Sequence, residues 1–308
     1  MKNDLRKNQL KKGEIIPLNF DFVFEAIFTK KENIDILENF LACYFDMDLK
    51  EIKGKLKILP RELELESKKA KNKQIDLLLE LEEETINIEL NNRYSKGIKE
   101  RNIVFASNVH SRSLNYSDNN YGKIKKTIQI NLNVNLRNKN NKLKDKYYLR
   151  NEEGEILSEK FEIDNLDMAL GRKVCYNDYS NKLARWCAVL TASTESEFRK
   201  SLGDDLMENE TKSKLVDETK KYSSDKDVVA LFFEKSKEEL EYNTLIADAK
   251  EDGIKQGKNA EKIETATNFK NLGIDIETIS KATGLSKEQI EKYKSNVKEY
   301  LIFFFSLI

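Results

Sequence analysis

Apolar residues recur along this chain with two different periods, and each change of period marks an element. In "NFDFVFEAIF", Asn19 stands where it can cap a helix running to Phe28. Leu37, Phe40, Leu41 and Tyr44 follow at i, i+3, i+4, i+7 spacing, which predicts a second helix from about Asn33 to Phe45. "KGKLKILPRELELESKK" then reads as a strand or extended segment broken at Pro60. Gln74 to Asn92, "QIDLLLELEEETINIELNN", reads as a hairpin. Ile75, Leu77, Leu79 and Leu81 share one face of its first strand, with Asp76, Leu78 and Glu80 on the other. Ile86, Ile88 and Leu90 share one face of the second, with Asn87, Glu89 and Asn91 opposite. Residues 93–116 have helical spacing, with Ile98, Phe105 and Val109 inward. "KKTIQINLNVNL" alternates Ile128, Ile130, Leu132, Val134 and Leu136 with polar residues, as a strand does. Two helices, a meander of strands, a helix and a further strand predict an α/β or α+β core ending near residue 136.

Beyond that core, "KYYLRNEEGEILSEKFEIDNLD" predicts an accessory hairpin turning near Glu152 to Gly154, and the pattern after Asp167 is helical. Ala230 to Ile263 is highly charged and interrupted by Gly253 and Gly257, which suggests a flexible helical linker. "NLGIDIETISKATGLSKEQIEKY" has helix–turn–helix spacing: Ile276 and Ile279 precede a turn at Gly284-Leu285, and Ser286 caps a helix bearing Ile290. The mixed charge of its second helix fits a packing or dimerisation hairpin as well as a base-reading one. The expected organisation is a basic arm over residues 1–16, the core with its hairpin over 17–166, and a helical region over 167–244. A charged helix with the helix–turn–helix hairpin follows over 245–296, and an apolar tail over 297–308.

Composition narrows the function classes. The 308 residues carry 54 basic and 54 acidic side chains, so any nucleic-acid site must be a local patch. Cys43, Cys175 and Cys187 form no C-x-x-C pair and, with the single histidine His110, cannot build an ordinary zinc site. Reduced thiols in a cytoplasmic protein are the simplest reading. No run approaches the roughly 20 apolar residues of a membrane span, and the terminal "LIFFFSLI" is far shorter. There is no Gly-rich nucleotide cradle. His110 lies in a helical pattern and reads as a packing or surface residue.

The hairpin carries the candidate chemistry. A two-residue turn at Glu82-Glu83 sets Asp76 directly across from Glu89. Like charges directly opposite are destabilising, so a stable pairing needs a proton or a cation between them. Mg²⁺ suits such a pair, since it keeps several waters and takes one or two carboxylates. The same charges also fit a solvated hairpin face with no ligand. "KKAKNK" (Lys68 to Lys73) and "GKIKK" (Gly122 to Lys126) flank the hairpin and could contact phosphates or remain solvated loops.

The chain resembles the recombination-promoting nuclease (Rpn) and transposase group of the PD-(D/E)XK nuclease superfamily. "DFVFEAIF" is similar to that group's opening D-x-x-F-K-x-x-F, starting at Asp21. "KNKQIDLLLEL" resembles its lysine-then-Asp strand, with Lys73 and Asp76. "INIELN" resembles its I-x-I-E-x-Q strand, with Glu89. "IKERNIVFASNVHSRSL" resembles the helix that follows, with Arg101 as its arginine. "EDGIKQGK" and "GIDIETISKATGLSKEQIEKY" resemble the group's tails. The resemblance covers about residues 17 to 136 and 245 to 293, and lies more in the order and spacing of these matches than in any one of them.

The resemblance implies a Mg²⁺-dependent (or Mn²⁺-dependent) DNA endonuclease linked to recombination or mobile DNA. Asp76 and Glu89 would hold the metal, and the residue at position 91 would help position the attacking water. Asp21, Glu25, Lys73 and Arg101 would support the site. DNA is the implied partner, and a homo-oligomer is compatible with the helical C-terminal half. Two positions depart from the pattern: Glu25 stands at a usual lysine, and Asn91 at a usual lysine or glutamine. Asn91 therefore keeps open a nuclease fold that binds DNA or assembles without cutting it.

Overall fold

The computed structural model describes residues 9–63, 73–93, 95–113, 120–136, 138 and 141–292, with only the backbone described for Glu62, Leu63, Lys73 and Gln74. The elements of the first part are α1 (Asp21–Phe28), α2 (Ile34–Phe45), the short α3 (Leu49–Ile52), β1 (Leu56–Leu59), β2 (Glu62–Leu63), β3 (Lys73–Gln74), β4 (Leu77–Leu81), β5 (Glu84–Asn91), α4 (Ile98–Arg112) and β6 (Lys126–Asn133). They are followed by β7 (Lys144–Tyr148), β8 (Phe161–Asp167), α5 (Met168–Asn177), α6 (Lys182–Thr191), α7 (Glu195–Leu202) and α8 (Asn209–Ser224). The main sheet has the order β1-β4-β5-β6-β8-β7, while β2 and β3 pair separately. Strands β5, β6 and β8 run parallel to one another, and the outer pairings are antiparallel.

The hairpin adopts the register expected from its turn, with Leu77 opposite Ile88 and Leu81 opposite Glu84. Its turn lacks glycine, and Glu82 takes the left-handed conformation at φ 50°, at a cost of about 1–2 kcal/mol. Glu82 also pairs with Lys55 at 2.8 Å. One face of the sheet packs Leu77, Leu79, Ile86, Ile88, Ile128 and Ile130 into the main core with α1, α2 and α6. The other face of β5 and β6 is lined by Thr, Asn, Gln and Glu, yet it too is buried. Helix α4 lies over this side, burying Ile98, Phe105, Ala106 and Val109.

Three expectations need correction. Asn19 does not cap α1: the N-cap is Phe20, without a side-chain bond, and the Asn19 amide instead donates to Asn92 Oδ1 at 3.0 Å. Ile75 does not continue the alternation of β4. The chain bends at Asp76, and Ile75 packs with Phe105 and Val109. The hairpin after residue 143 is no accessory. β8 enters the main sheet beside β6, because Leu166 is wholly buried in the core and seven residues of β8 register with β6.

The helices after Asp167 complete the same core through Trp186, Val189, Phe198 and Leu215. Compact units divide between Phe233 and Glu234. Helix α9 is continuous from Lys226 to Asn271, with Gly253 and Gly257 inside it. In the second unit α10 (Ile276–Thr283) and α11 (Lys287–Lys292) follow a turn at Gly284, whose φ is 71°. Ile279, Leu285 and Ile290 close on Ala266 as a small apolar cluster. Ser286 Oγ accepts from Gln289 N–H at 3.2 Å, as a cap should. No described helix is long and apolar enough to cross a membrane. Residues 1–8 of the basic arm expected over 1–16, most of the Lys68 to Lys73 stretch and the apolar tail lie outside the described residues.

Candidate metal and phosphodiester site

The site forms where the bend before β4 meets the middle of β5. Asp76 Oδ2 accepts the Leu90 backbone N–H at 2.7 Å, which fixes the carboxylate against the neighbouring strand. Glu89 points from the polar face of β5 and is 0% exposed. Asn87 Nδ2 donates to Glu89 Oε1 at 3.3 Å, and Arg101 Nη2 on α4 reaches Glu89 Oε2 at 3.4 Å. Both are long bonds, so little positive charge bears directly on a fully desolvated carboxylate.

The electrostatics follow. Burial first, and then the charge of Asp76, pushes Glu89 up to about 8. Asp76 is also raised, chiefly by burial and further by Asp21, against the pull of the Leu90 N–H and of Arg101 and Arg61. Without a cation the pair favours holding a proton, because two like charges in a dry site cannot both ionise cheaply. Two interacting carboxylates whose nearby guanidinium makes only a long bond to Glu89 match the oxygen donors of a hard divalent cation, which completes its shell with water. No group of three or more His, Cys, Asp or Glu that could hold a metal ion occurs among the described residues, so a cation here would have two carboxylates and otherwise water.

Asn91 shares the polar face with Glu89 and is 3% exposed. Its Nδ2 donates to Asn133 Oδ1 at 2.9 Å, and its Oδ1 has no partner among the described residues. The amide ladder continues across the sheet: Asn87 bonds Gln129 at 2.7 Å, Gln129 bonds Asn131 at 3.0 Å, and Asn131 bonds Asn165 at 2.9 Å. The polar alternation in "INIELN" and "INLN" signalled these positions without revealing that they bond one another. Asp21 sits in the first turn of α1 and accepts from Asn92 Nδ2 at 2.7 Å. Glu25, one turn on, pairs with Arg61 Nη2, and Arg61 Nη1 donates to the Asp76 carbonyl at 3.3 Å. Glu25 is half exposed in this pair, which limits its contribution to stability to about 1 kcal/mol. Arg61 carried no sequence signal, since it belongs to no periodic run.

Lys73 lies on β3, and its side chain is outside the described set. Two of the three lysines of "GKIKK" are engaged in ion pairs, Lys125 with Glu80 at 2.6 Å and Lys126 with Glu162 at 2.9 Å. His110 is a packing residue: its Nδ1 is 2.9 Å from Thr127 Oγ1 and its ring meets Phe161 edge-on. Burial and Lys160 hold its pKa below the ordinary range. The three cysteines are unpaired.

A mixed sheet with helices on both faces and a carboxylate pair at its centre is the arrangement of a PD-(D/E)XK nuclease. The model of the PD-(D/E)XK nuclease family transposases matches residues 18–249, and the chain belongs to that family. No curated protein and no solved structure matches the chain.

Proposed function

We propose that the protein is a Mg²⁺-dependent DNA endonuclease acting in recombination or in the movement of mobile DNA. The observation that carries this reading is the Asp76–Glu89 pair. Its two charges interact, Glu89 is buried with Arg101 no nearer than a long bond at 3.4 Å, and Glu89 is pushed up to about 8. Asp76 and Glu89 would hold the metal, for which Mn²⁺ is the natural substitute. Bound there, the cation would lower the pKa of a water and offset charge on the phosphate. The chain's own contributions are separate. Leu90 N–H fixes the Asp76 carboxylate. Asn87 and Arg101 orient Glu89. Asn91 offers an amide that can donate to or accept from a water on the same face. Helix α4 closes that face of the sheet, and low local dielectric strengthens each of these interactions.

A second reading draws on Asn91. A neutral amide tied to Asn133 stands where a longer or charged side chain is usual, which suits a nuclease fold that binds DNA or assembles without cutting it. Incubating supercoiled plasmid with the full-length protein in Mg²⁺, in Mn²⁺ and in EDTA separates the two. The endonuclease reading expects nicking that EDTA abolishes. Binding without nicking in either metal supports the second reading. Either reading expects a cytoplasmic protein with DNA as its partner.

A further inference from the structure

Few cations among the described side chains stand beside the proposed centre where a phosphate would arrive. Three carboxylates bear on it, those of Asp21, Asp76 and Glu89, and a fourth, Glu25, pairs with Arg61. Position 91 is neutral. Among the described side chains, the cations that act on Asp76 are Arg101 and Arg61. Arg101 is turned to Glu89, with its guanidinium 5.3 Å from the Phe105 ring centre.

Arg61 is placed differently. Its side chain is 18% exposed, so the stem is packed and the fork is held. One nitrogen bonds the carbonyl of Asp76 and the other bears on Glu25, an exposed carboxylate on α1. A guanidinium presents planar paired donors that fit a carboxylate and a phosphate equally well. A carboxylate at the mouth of the site can therefore occupy the position that a phosphodiester would take. Resting on the nuclease reading above, we propose that Arg61 is a phosphate-binding residue of this site, and that Glu25 occupies its fork until a DNA phosphate displaces it.

This assigns opposite roles to two residues that form one ion pair. Arg61 attracts the substrate. Glu25 competes with it and repels it. The anchoring of Arg61 to the Asp76 carbonyl ties the bound phosphate to the residue that would hold the metal, so the gain comes beside the reacting atoms. The departure at Glu25, where a lysine is usual, and the neutral Asn91 then belong to one arrangement: the cation is supplied from outside β5, and it is masked in the free protein.

The test uses the full-length protein and three variants, Arg61→Gln, Arg61→Lys and Glu25→Gln. Binding of a fluorescent DNA duplex is measured by anisotropy across a salt series, and plasmid nicking is followed in Mg²⁺. Arg61→Gln should weaken binding about tenfold and reduce the slope of log affinity against log salt by about 1. Arg61→Lys should recover the slope and part of the affinity, since charge returns without the fork. Glu25→Gln should strengthen binding. If Arg61→Gln and Glu25→Gln weaken binding alike while the parent binds and nicks DNA, the pair merely props the fold. The proposal then fails and the nuclease reading stands. If the parent neither binds nor nicks DNA, both fail. Should Arg61→Gln not fold, Glu25→Gln decides alone, and no gain in affinity overturns the proposal.

Discussion

Two carboxylate pairs stand at the sheet, one of them joining buried Glu89 to part-buried Asp76, and they are compensated in different ways. Asp76 and Glu89 meet at the β4–β5 side. Glu162 and Asp164 lie two residues apart on β8. Each pair has a member forced well upward, Glu89 to about 8 and Asp164 to about 7, by burial first and by its neighbour second, and in the hairpin pair Asp76 is raised as well. The β8 pair, however, is surrounded by the fold's own donors. Lys126 Nζ is 2.9 Å from Glu162, Lys146 contacts Glu162 and lies 3.8 Å from Asp164, and Tyr44 Oη donates to Asp164 at 2.8 Å. Although burial works against its charge, these lysines hold Glu162 below the usual carboxylate range. The hairpin pair has the Leu90 N–H on Asp76, the long Asn87 and Arg101 bonds to Glu89, and the charge of Arg61 acting on Asp76. Glu89, Glu162 and Asp164 are all buried, while Asp76 is part-buried. Although Asp164 Oδ1 has no partner among the described residues, two lysines and a tyrosine serve the β8 pair, which suits an ion cluster that serves the fold, whereas the hairpin pair has only long bonds to Glu89.

The largest expected effect concerns function. Asp76→Ala and Glu89→Ala should abolish Mg²⁺-dependent nicking while leaving the circular dichroism spectrum unchanged. Parent-like cutting by either variant would remove these residues from the proposed site. The same substitutions at Glu162 or Asp164 should lose stability instead.

Next comes pH. Between the ordinary 4.5 of a glutamate and about 8, the folded chain holds a proton at Glu89 that the unfolded chain has released. Metal-free stability should therefore fall as pH rises through that window, by up to about 1.4 kcal/mol per unit. Mg²⁺ should raise the melting temperature more at pH 8 than at pH 5, because protons compete for the same oxygens. Glu89→Gln should flatten the metal-free profile and remove the Mg²⁺ response. A Mg²⁺ response that survives in this variant would place the ion elsewhere.

Lys146→Met probes the other pair. Breaking a buried ion pair typically costs about 3–5 kcal/mol. Lys146 is 38% exposed and Lys126 remains, so about 2–3 kcal/mol is expected by urea denaturation. Its Mg²⁺ affinity should match the parent's. A variant that loses metal affinity without losing stability would reverse the assignment of the two pairs.

The smallest effect is expected at Asn91. Asn91→Gln or Asn91→Lys should raise the nicking rate at saturating Mg²⁺ by about tenfold, a change of about 1.4 kcal/mol in the barrier. A pre-organised donor can carry 10²–10³, but the Asn133 bond already holds this position. Unchanged or lower rates in both variants would mean that asparagine is fitted to its task.

The hairpin was legible because two signals agreed: period-two alternation and a two-residue acidic turn. Ile75 was misplaced because alternation says nothing about where a strand bends. Asn19 was misassigned because a capping residue and a residue bonding a distant loop have the same chemistry, and Asn92 lies 73 positions away.

Sequence alone determined the two helices before the sheet, the register that brings Asp76 to β5, the helix carrying Arg101 and the resemblance that the family match bears out. All of these depend on neighbours within a few residues or on a spaced motif. Only the tertiary structure decided that α4 buries the polar face of β5, so that Glu89 is dry. It also decided that β8 joins the main sheet with lysines around its acids, and that Arg61 reaches both Asp76 and Glu25. These outcomes rest on contacts between segments far apart in the chain. Burial and counter-charge are properties of such contacts, and they decide whether two carboxylates are ornaments of a surface or a place for a cation.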